Sequence, residues 1–211
     1  VNTGNLILSK WEIENAERYQ LPLRGDQDGL TQYFYLRRNV IKAKVSMPGK
    51  SFYAVNTHLT AFATDDTKQK HIDGFKAVLD GIAAEGASFI AGGDLNEIPP
   101  NASKMDYCID DKCEGELYHS GGENEHKEGS YFAPEITWLS SLFNSYNPAI
   151  PLDVYGASET DHFTHSPDDK LQLDRKLDYL WTNTKWFNGT THQEATELSD
   201  HIPVSATWVI P

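Results

Sequence analysis

The feature that most constrains the fold is a pair of strand-like runs followed by a long amphipathic segment. Residues 33–46 and 51–59 are rich in Val, Ile, Tyr and Phe. They are separated by the turn signal Met47-Pro-Gly-Lys50, so we expect a β-hairpin whose second strand ends at His58.

A helix is predicted next, from Asp65 to Glu85. Its apolar residues fall on one helical face: Ile72, Phe75, Val78, Leu79, Ile82 and Ala83. Asp65 or Asp66 is the expected N-cap, and Gly86 closes the helix. Residues 87–91 then predict a short buried strand that leads into Gly92-Gly93-Asp94. Strand, helix and strand in this order indicate an α/β layer.

The second half of the chain contains a long irregular region and further regular elements. Residues 97–134 are rich in Gly, Pro, Asn and charge, which predicts surface loops. Another amphipathic helix ends at Asn147-Pro148 and carries Ile136, Leu139, Leu142, Phe143 and Tyr146. Strands are expected over 177–182 and 202–210, the last with apolar residues in alternation. No repeat divides the chain, so residues 1–211 are interpreted as one domain.

The composition narrows the classes of function. Hydrophobic residues make up 39% of the chain, enough to bury a core. Lys and Arg number 18 against 31 Asp and Glu, a formal net charge of −13. Such a surface repels nucleic-acid phosphates unless a metal or a local basic patch intervenes, which argues against a general nucleic-acid coat protein.

The two cysteines, Cys108 and Cys113, lie in a polar stretch. No Cys or His partners stand at zinc-ligand spacing, so a short loop disulfide and two free thiols both stay open. No apolar run is long enough to predict a membrane span. We expect a monomer; the compartment is left open, with an extracellular or periplasmic one favoured.

Four short polar motifs lie inside or beside apolar strands. They are Val55-Asn-Thr-His58-Leu, Gly93-Asp94-Leu-Asn96, Lys176-Leu-Asp178-Tyr-Leu and Ser199-Asp200-His201-Ile-Pro203. Each motif alone also has a structural interpretation. His58 could be an ordinary core or surface histidine, and Asp94 could cap a turn. Asp178 could pair with Arg175 or Lys176, and Asp200 could be an N-terminal cap. Because a buried charge without a partner costs several kcal/mol, four such motifs together predict groups that satisfy one another or a metal.

In this order the motifs resemble those of the endonuclease/exonuclease/phosphatase superfamily, whose members include deoxyribonuclease I. The opening segment, residues 4–10, is similar to a strand of that family. The resemblance implies an α/β (α+β) fold of the deoxyribonuclease I type, a four-layer α-β-β-α sandwich of two packed mixed sheets. It implies Mg²⁺, with Mn²⁺ or Ca²⁺ as alternatives.

Residue by residue, the resemblance implies catalytic roles for five positions. Asp94 would position and activate the attacking water, and Asn96 would hold that water or the phosphate. Asp178 would orient His201, and His58 would contact the scissile phosphate or assist the leaving group. Asn96 and His58 are thus also candidates for substrate binding, together with His162 in the polar loop Asp161-His162-Phe-Thr-His165.

The metal site implied by the resemblance is incomplete in this sequence. Asp200 resembles an acid that contributes to it, but the family's metal-binding Glu would precede residue 1. Glu12, Glu14 and Glu17 do not match its position. We therefore expect a domain that lacks its N-terminal strands, or a protein that has lost this ligand.

The function predicted from the sequence is divalent-metal-dependent hydrolysis of phosphate esters, most of all phosphodiesters, by in-line attack of an activated water. The alternatives are a nuclease for DNA or RNA and a noncatalytic binding module. The substrate is open between a small molecule, a lipid headgroup and a nucleic acid. Lys170, Arg175 and Lys176 form a basic cluster that suits a nuclease, whereas Tyr131 and Phe132 suit an apolar lip for lipid.

Overall fold

A mixed six-stranded sheet forms the centre of the molecule in the computed structural model, which describes residues 4–61, 63, 65–100, 102, 137–166, 173–196 and 199–210. Its strands are β1 Glu12–Gln20, β2 Asn39–Met47, β3 Lys50–His58, β4 Phe89–Asp94, β5 Asn147–Pro148 and β6 Asp178–Thr182, in the spatial order β1-β2-β3-β4-β6-β5. The strands β7 Trp186–Thr191 and β8 Val204–Trp208 pair antiparallel in a second sheet.

The helices are α1 Gly29–Phe34, α2 Thr67–Ala84, α3 Ser140–Ser145 and α4 Leu152–Ala157, followed by a 3₁₀ turn at Glu159–His162. The longest, α2, connects β3 to β4 and buries its apolar stripe in the main core. That stripe consists of Ile72, Phe75, Leu79 and Ile82. Because the connection contains a full helix, β3 and β4 can run parallel.

The two faces of the large sheet carry different cores. Val55, Phe89 and Trp181 point to the face that packs with α2. Phe52 and Ala54, at alternate positions, point to the opposite face, where Trp208 of the second sheet packs. The rings of Phe52 and Trp208 meet edge to face with centroids 5.0 Å apart. The second sheet therefore lies against the large sheet, on the side away from α2.

In the first half of the chain, the predicted hairpin, the helix after it and the next strand are confirmed. The hairpin β2–β3 pairs Met47 with Lys50, the helix occupies Thr67–Ala84, and the strand after it runs from Phe89 through Asp94. The predicted strand start at residue 33 is wrong, because residues 29–34 form α1. Asp28 caps this helix by accepting hydrogen bonds from the backbone of Leu30 and Thr31, 2.9 and 3.1 Å long.

The strand expected at residues 4–10 is also corrected. Residues 4–9 carry no regular structure, and the first strand is instead the mostly polar Glu12–Gln20. It is an edge strand with a bulge between Glu14 and Glu17, and its exposure explains why no apolar alternation marks it.

The second half agrees with the prediction in part. Residues 178–182 and 204–208 are strands, and the helix expected up to Tyr146 is observed over Ser140–Ser145. The strand Trp186–Thr191 and the helix Leu152–Ala157 were not predicted. Most of the loop 97–134, with Cys108, Cys113, Tyr131 and Phe132, lies outside the described residues, as do Ile136 and Lys170.

The predicted α/β class is confirmed, with a multi-strand mixed sheet and a second sheet. Within the described residues, no helix combines the length and the apolar character needed to cross a membrane.

The end of β4 approaches β3 so closely that only glycine fits at residue 93. A Cβ atom built on Gly93 would lie 1.9 Å from the backbone oxygen of Thr57, and the residue has φ = +135°. Gly92 is similarly tight against the backbone of β6, where a Cβ would lie 2.6 Å from the oxygen of Tyr179. The two glycines before Asp94 thus let three strand ends come together.

We predict that Gly93→Ala lowers the free energy of unfolding by about 3 kcal/mol, because the new methyl group overlaps backbone and the φ angle is strained. Gly81→Ala is the matched control. It adds the same methyl group inside α2, where nothing lies within 4 Å, and it should leave stability equal or slightly raised. Urea denaturation of both variants measures the difference, and equal midpoints would contradict the close approach.

Candidate active site

Three polar side chains stand side by side on neighbouring strands. The strand pairing places His58 of β3 opposite Asp94 of β4, and Asp94 opposite Asp178 of β6. By strand alternation, His58 lies on the same face as Phe52 and Ala54, which is the face toward the second sheet. This row of three side chains is therefore a consequence of the strand register, which brings together three motifs that are far apart in the sequence.

Asp94 is the centre of the cluster. Its Oδ2 lies 3.2 Å from Nε2 of His58 and 3.8 Å from Nε2 of His201. Burial and, after it, the charge of Asp178 together raise the pKa of Asp94 to about 6, against the lowering effect of His201. Asp94 is a carboxylate whose charged form is poorly solvated, as suits a group that takes up a proton or a cation.

Asn96 is fixed to Asp94 by a local turn. Its backbone N–H donates to Oδ1 of Asp94 at 2.8 Å, and its side-chain Nδ2 donates to Oδ2 at 3.1 Å and to the carbonyl of Leu59 at 3.1 Å. The residue has φ = +50°, a left-handed conformation that Asn tolerates better than most residues. With both side-chain N–H groups engaged, Oδ1 is the atom of Asn96 that can hold a water or a cation.

Asp178 and His201 form the predicted pair. Nδ1 of His201 lies 2.8 Å from Oδ2 of Asp178. This hydrogen bond, followed by the charges of Asp178 and Asp94, raises the pKa of His201 to about 9 despite its burial. At neutral pH His201 is therefore an imidazolium, with Nε2 on the side of Asp94.

His58 has the opposite electrostatic character. Partial burial of the ring, of which the side chain stays 46% exposed, and the nearby charges of Arg38 and His201 together lower its pKa to about 4, against the effect of Asp178. The neutral imidazole can donate a hydrogen bond from Nε2 to Asp94. The cluster thus combines one charged and one neutral histidine around the same carboxylate.

His165 is a neighbour that the sequence analysis missed. Its ring packs edge to face on that of His201, with centroids 5.1 Å apart, and its Nδ1 lies 3.0 Å from Oδ1 of buried Asp174. Isolated bridges tie its backbone to Arg175 and His201. The loop motif Asp161-His162-Phe-Thr-His165 was recognised, but sequence alone could not distinguish its two histidines.

His162, the histidine predicted to bind substrate, lies elsewhere. Its ring centroid is 6.4 Å from that of buried Tyr155, and burial lowers its pKa. No described contact joins it to Asp94, Asp178 or His201, so the structure does not bring it into the cluster. Its role in substrate binding stays a prediction.

The basic cluster expected before Asp178 is not a surface patch. Arg175 pairs with Asp174 through Nε at 2.7 Å, and Lys176 is buried with Nζ 2.9 Å from the backbone oxygen of Asp178. Burial lowers the pKa of Lys176 to about 8. Arg175 and Lys176 are therefore engaged within the protein, whereas Lys170, the third residue of the predicted cluster, lies outside the described residues.

The possible metal ligands of the described residues form two groups that share His201. Asp94, Asp178 and His201 form one group, and His165, Asp200 and His201 form the other; within each group one ligand atom per residue lies within 4.8 Å of the others. Asp200, the predicted metal ligand, is exposed and receives a hydrogen bond from the hydroxyl of Ser199, which lowers its pKa. The first group fits a hard divalent cation, because two carboxylates are held together at a half-buried point and Asn96 adjoins one of them, Asp94.

We predict that the imidazole of His201 titrates near pH 9 in the metal-free protein and that Asp178→Asn moves this titration toward the ordinary histidine pKa of about 6.5. The reason is that the substitution removes the charge of the hydrogen-bond partner. Two-dimensional ¹H–¹⁵N spectra of the ring nitrogens measure the pKa. The control, Asp153→Asn, removes an exposed carboxylate of α4 and should leave the titration unchanged; equal pKa values in all three proteins would contradict the pairing.

Solved structures with the same fold support the assignment of the architecture. A protein from Beutenbergia cavernae, described as an endonuclease/exonuclease/phosphatase, matches 94% of this chain with a TM-score of 0.57 and 16% identity. D. rerio TDP2 in complex with a single-strand DNA product matches 92% with a TM-score of 0.51 and 14% identity. A Bacteroides thetaiotaomicron mannosyl-6-phosphatase matches 95% with a TM-score of 0.50 and 11% identity.

The present chain spans 45%, 67% and 68% of the length of these three proteins, respectively. A comparison with curated protein sequences finds no match. A family model, however, matches residues 2–201, nearly the whole sequence, and so includes the first three polar motifs and Asp200 and His201 of the fourth. The chain belongs to the endonuclease/exonuclease/phosphatase family.

Proposed function

We propose that this chain carries the catalytic site of a divalent-metal-dependent phosphoesterase that hydrolyses phosphodiesters by in-line attack of water. The observation that carries the proposal is the convergence of Asp94, Asn96, Asp178 and His201 beside His58. Members of the family are generally phosphoesterases or nucleases, which supports the reaction class.

Asp94 and Asp178 are the residues that would hold the cation through their carboxylate oxygens. A divalent cation at this point supplies charge neutralisation for the phosphoryl oxygens and a template for the substrate. The raised pKa of Asp94 is consistent with such a role, since a nearby cation would favour the carboxylate that burial and Asp178 disfavour. Mg²⁺ is the ion proposed, because the donors are oxygens.

Asp94 and Asn96 would handle the attacking water. Asp94 accepts its proton or orients it, and Oδ1 of Asn96 accepts a second hydrogen bond that fixes its direction. His201, as an imidazolium, would donate Nε2–H to a phosphoryl oxygen where negative charge develops. Asp178 keeps that imidazole charged and oriented.

His58 would act as a neutral donor. With a pKa lowered to about 4, it is uncharged at pH 7 and can offer one N–H to a phosphoryl or leaving-group oxygen. A neutral His58 would donate a hydrogen bond, and it would not act as a general acid that transfers a proton to the leaving group. The reason is that only a small fraction of His58 carries the extra proton at neutral pH.

The fold relatives are compatible with more than one substrate. One is a TDP2 in complex with single-strand DNA product and another is described as a mannosyl-6-phosphatase, so the shared architecture serves different phosphate esters in those proteins. We therefore propose the reaction class from the site and leave the leaving group open.

We predict that Asp94→Asn and His201→Ala each lower kcat/KM for bis-p-nitrophenyl phosphate in Mg²⁺ by about 100-fold or more, because each removes a group that acts in the transition state. Asp153→Asn is the control for Asp94→Asn, since Asp153 is an exposed carboxylate on α4. EDTA should abolish the activity, and added Mg²⁺ or Mn²⁺ should restore it. Equal rates in all variants would leave a noncatalytic binding module as the better interpretation.

The pH dependence follows from the two shifted groups. Asp94 acts as a carboxylate and a bound cation favours that form, so kcat/KM in Mg²⁺ should rise with pH through a value no higher than about 6. His201 acts as a cation, which a bound metal disfavours, so kcat/KM should fall with pH through a value no higher than about 9. Steady-state rates with bis-p-nitrophenyl phosphate between pH 5 and 10 measure both limbs. A rate that keeps rising beyond pH 10 would contradict a cationic role for His201.

A further inference from the structure

His71 is a buried histidine of α2, the helix that packs on the opposite face of the large sheet from His58. The residue is only 1% exposed, yet both of its ring nitrogens have backbone partners. Nδ1 lies 3.2 Å from the backbone nitrogen of Thr60, and Nε2 lies 2.8 Å from the carbonyl oxygen of Pro22. Because Pro22 follows β1 and Thr60 follows β3, the imidazole connects two separate loops through the helix.

The two backbone partners determine the form of the ring. The N–H of Thr60 is a donor, so Nδ1 must be an unprotonated acceptor. The carbonyl of Pro22 is an acceptor, so Nε2 must carry the proton. Only the neutral ring with its proton on Nε2 satisfies both partners. Burial lowers the pKa of His71, which agrees with a neutral imidazole.

The hydrogen bond to Thr60 begins a short path to the proposed active site. The preceding residue, Leu59, donates its backbone N–H to the carbonyl of Asp94 at 2.9 Å. The carbonyl of Leu59 in turn accepts a hydrogen bond from Nδ2 of Asn96 at 3.1 Å. Since His58 comes directly before Leu59, the same three-residue segment carries one catalytic candidate and orients another.

The loop that contains Pro22 is a fixed anchor for the imidazole. Leu21 donates its backbone N–H to the carbonyl of Arg38 at 3.0 Å, and Gly25 donates to Oγ1 of Thr67 at 3.1 Å. The loop is thereby bound both to the start of β2 and to the first turn of α2. The carbonyl of Pro22 can therefore hold the ring in one orientation.

A purely structural role would also explain a buried histidine with two hydrogen bonds. The further consequence lies in what Leu59 does, because its carbonyl and Oδ2 of Asp94 are the two acceptors that orient the side-chain amide of Asn96. Hydrogen bonds weaken steeply when their geometry departs from the preferred range. A shift of Leu59 would therefore turn the Asn96 amide and misdirect its Oδ1 atom.

We propose that His71 is a positioning residue of the active site: it holds Thr60 and Leu59 in place, and Leu59 orients the amide of Asn96 toward the attacking water. This inference rests on the proposed function for the role of Asn96. The imidazole acts through the backbone and not by contact with the reacting atoms. Its loss should therefore lower kcat and leave KM nearly unchanged.

Three variants test the proposal in steady-state assays with bis-p-nitrophenyl phosphate and Mg²⁺. His71→Leu removes both hydrogen bonds and should lower kcat by about tenfold or more at nearly constant KM. His71→Gln keeps one acceptor and one donor, and it should restore kcat to within about threefold of wild type. Thr67→Val is the matched control, because it removes a buried hydrogen bond of the same helix, to Gly25, and should leave kcat unchanged.

The side-chain amide of Asn96 gives a second readout that does not require turnover. Hydrogen exchange of its Nδ2 protons is measured by ¹H–¹⁵N spectroscopy in the metal-free protein. In His71→Leu this exchange should be faster than in wild type by about fivefold or more, as expected when a hydrogen bond is weakened. His71→Gln and Thr67→Val should keep the wild-type rate.

Melting temperatures check that each variant is folded. Wild-type kcat together with wild-type exchange of the Asn96 amide in folded His71→Leu would overturn the proposal, and so would an equal loss of kcat in Thr67→Val. If His71→Leu does not fold, His71→Met takes its place, since a flexible side chain fills the site without a strong hydrogen-bonding group. If neither variant folds while His71→Gln does, the role of His71 is purely structural and the proposal falls.

The two proposals fail separately. If wild type hydrolyses no ester, the phosphoesterase proposal falls, and the exchange of the Asn96 amide alone decides whether His71 positions this side chain. If wild type hydrolyses the ester but His71→Leu keeps both kcat and the exchange rate, the reaction stands and the positioning role falls.

Discussion

The site depends on the pairing of three strand ends at one point of the large sheet. His58, Asp94 and Asp178 are opposite one another on β3, β4 and β6, and this row exists because the end of β4 runs within backbone contact of both neighbours. Gly92 and Gly93 permit that approach, since side chains there would overlap the backbone of Tyr179 and Thr57. The strands β3 and β4 can pair in parallel because the connection between them contains the helix α2. The same connection therefore contributes apolar residues to the main core and aligns His58 with Asp94.

The electrostatics of the cluster separate the roles of its two histidines. His201 lies against Asp178 and is held as a cation, whereas His58 is partly desolvated beside the charges of Arg38 and His201 and is held neutral. Asp94 lies between them with a raised pKa, since burial and Asp178 both disfavour its charge. A cluster with opposing shifts of this kind is typical of sites that transfer protons or bind ions.

Arg38 adds a further charge to the same balance. It contributes to the lowered pKa of His58, whereas the charge of Asp94 raises the pKa of Arg38 against the effect of its burial.

The sequence by itself determined the fold family, the hairpin, the helix α2 and the identity of His58, Asp94, Asn96, Asp178 and His201 as a group, because apolar periodicity and motif order are local properties of a chain. It did not predict the exposed edge strand Glu12–Gln20, the capped helix at Gly29–Phe34 or the strand Trp186–Thr191, where alternation is weak and capping or edge pairing decides. It selected His162 over His165, since only the backbone bridges of residue 165 to Arg175 and His201 place one of these two histidines beside the cluster. The opposite protonation states of His58 and His201 were decided by tertiary structure alone, because the pKa of an imidazole depends on its burial and on which charges the folded chain brings near it.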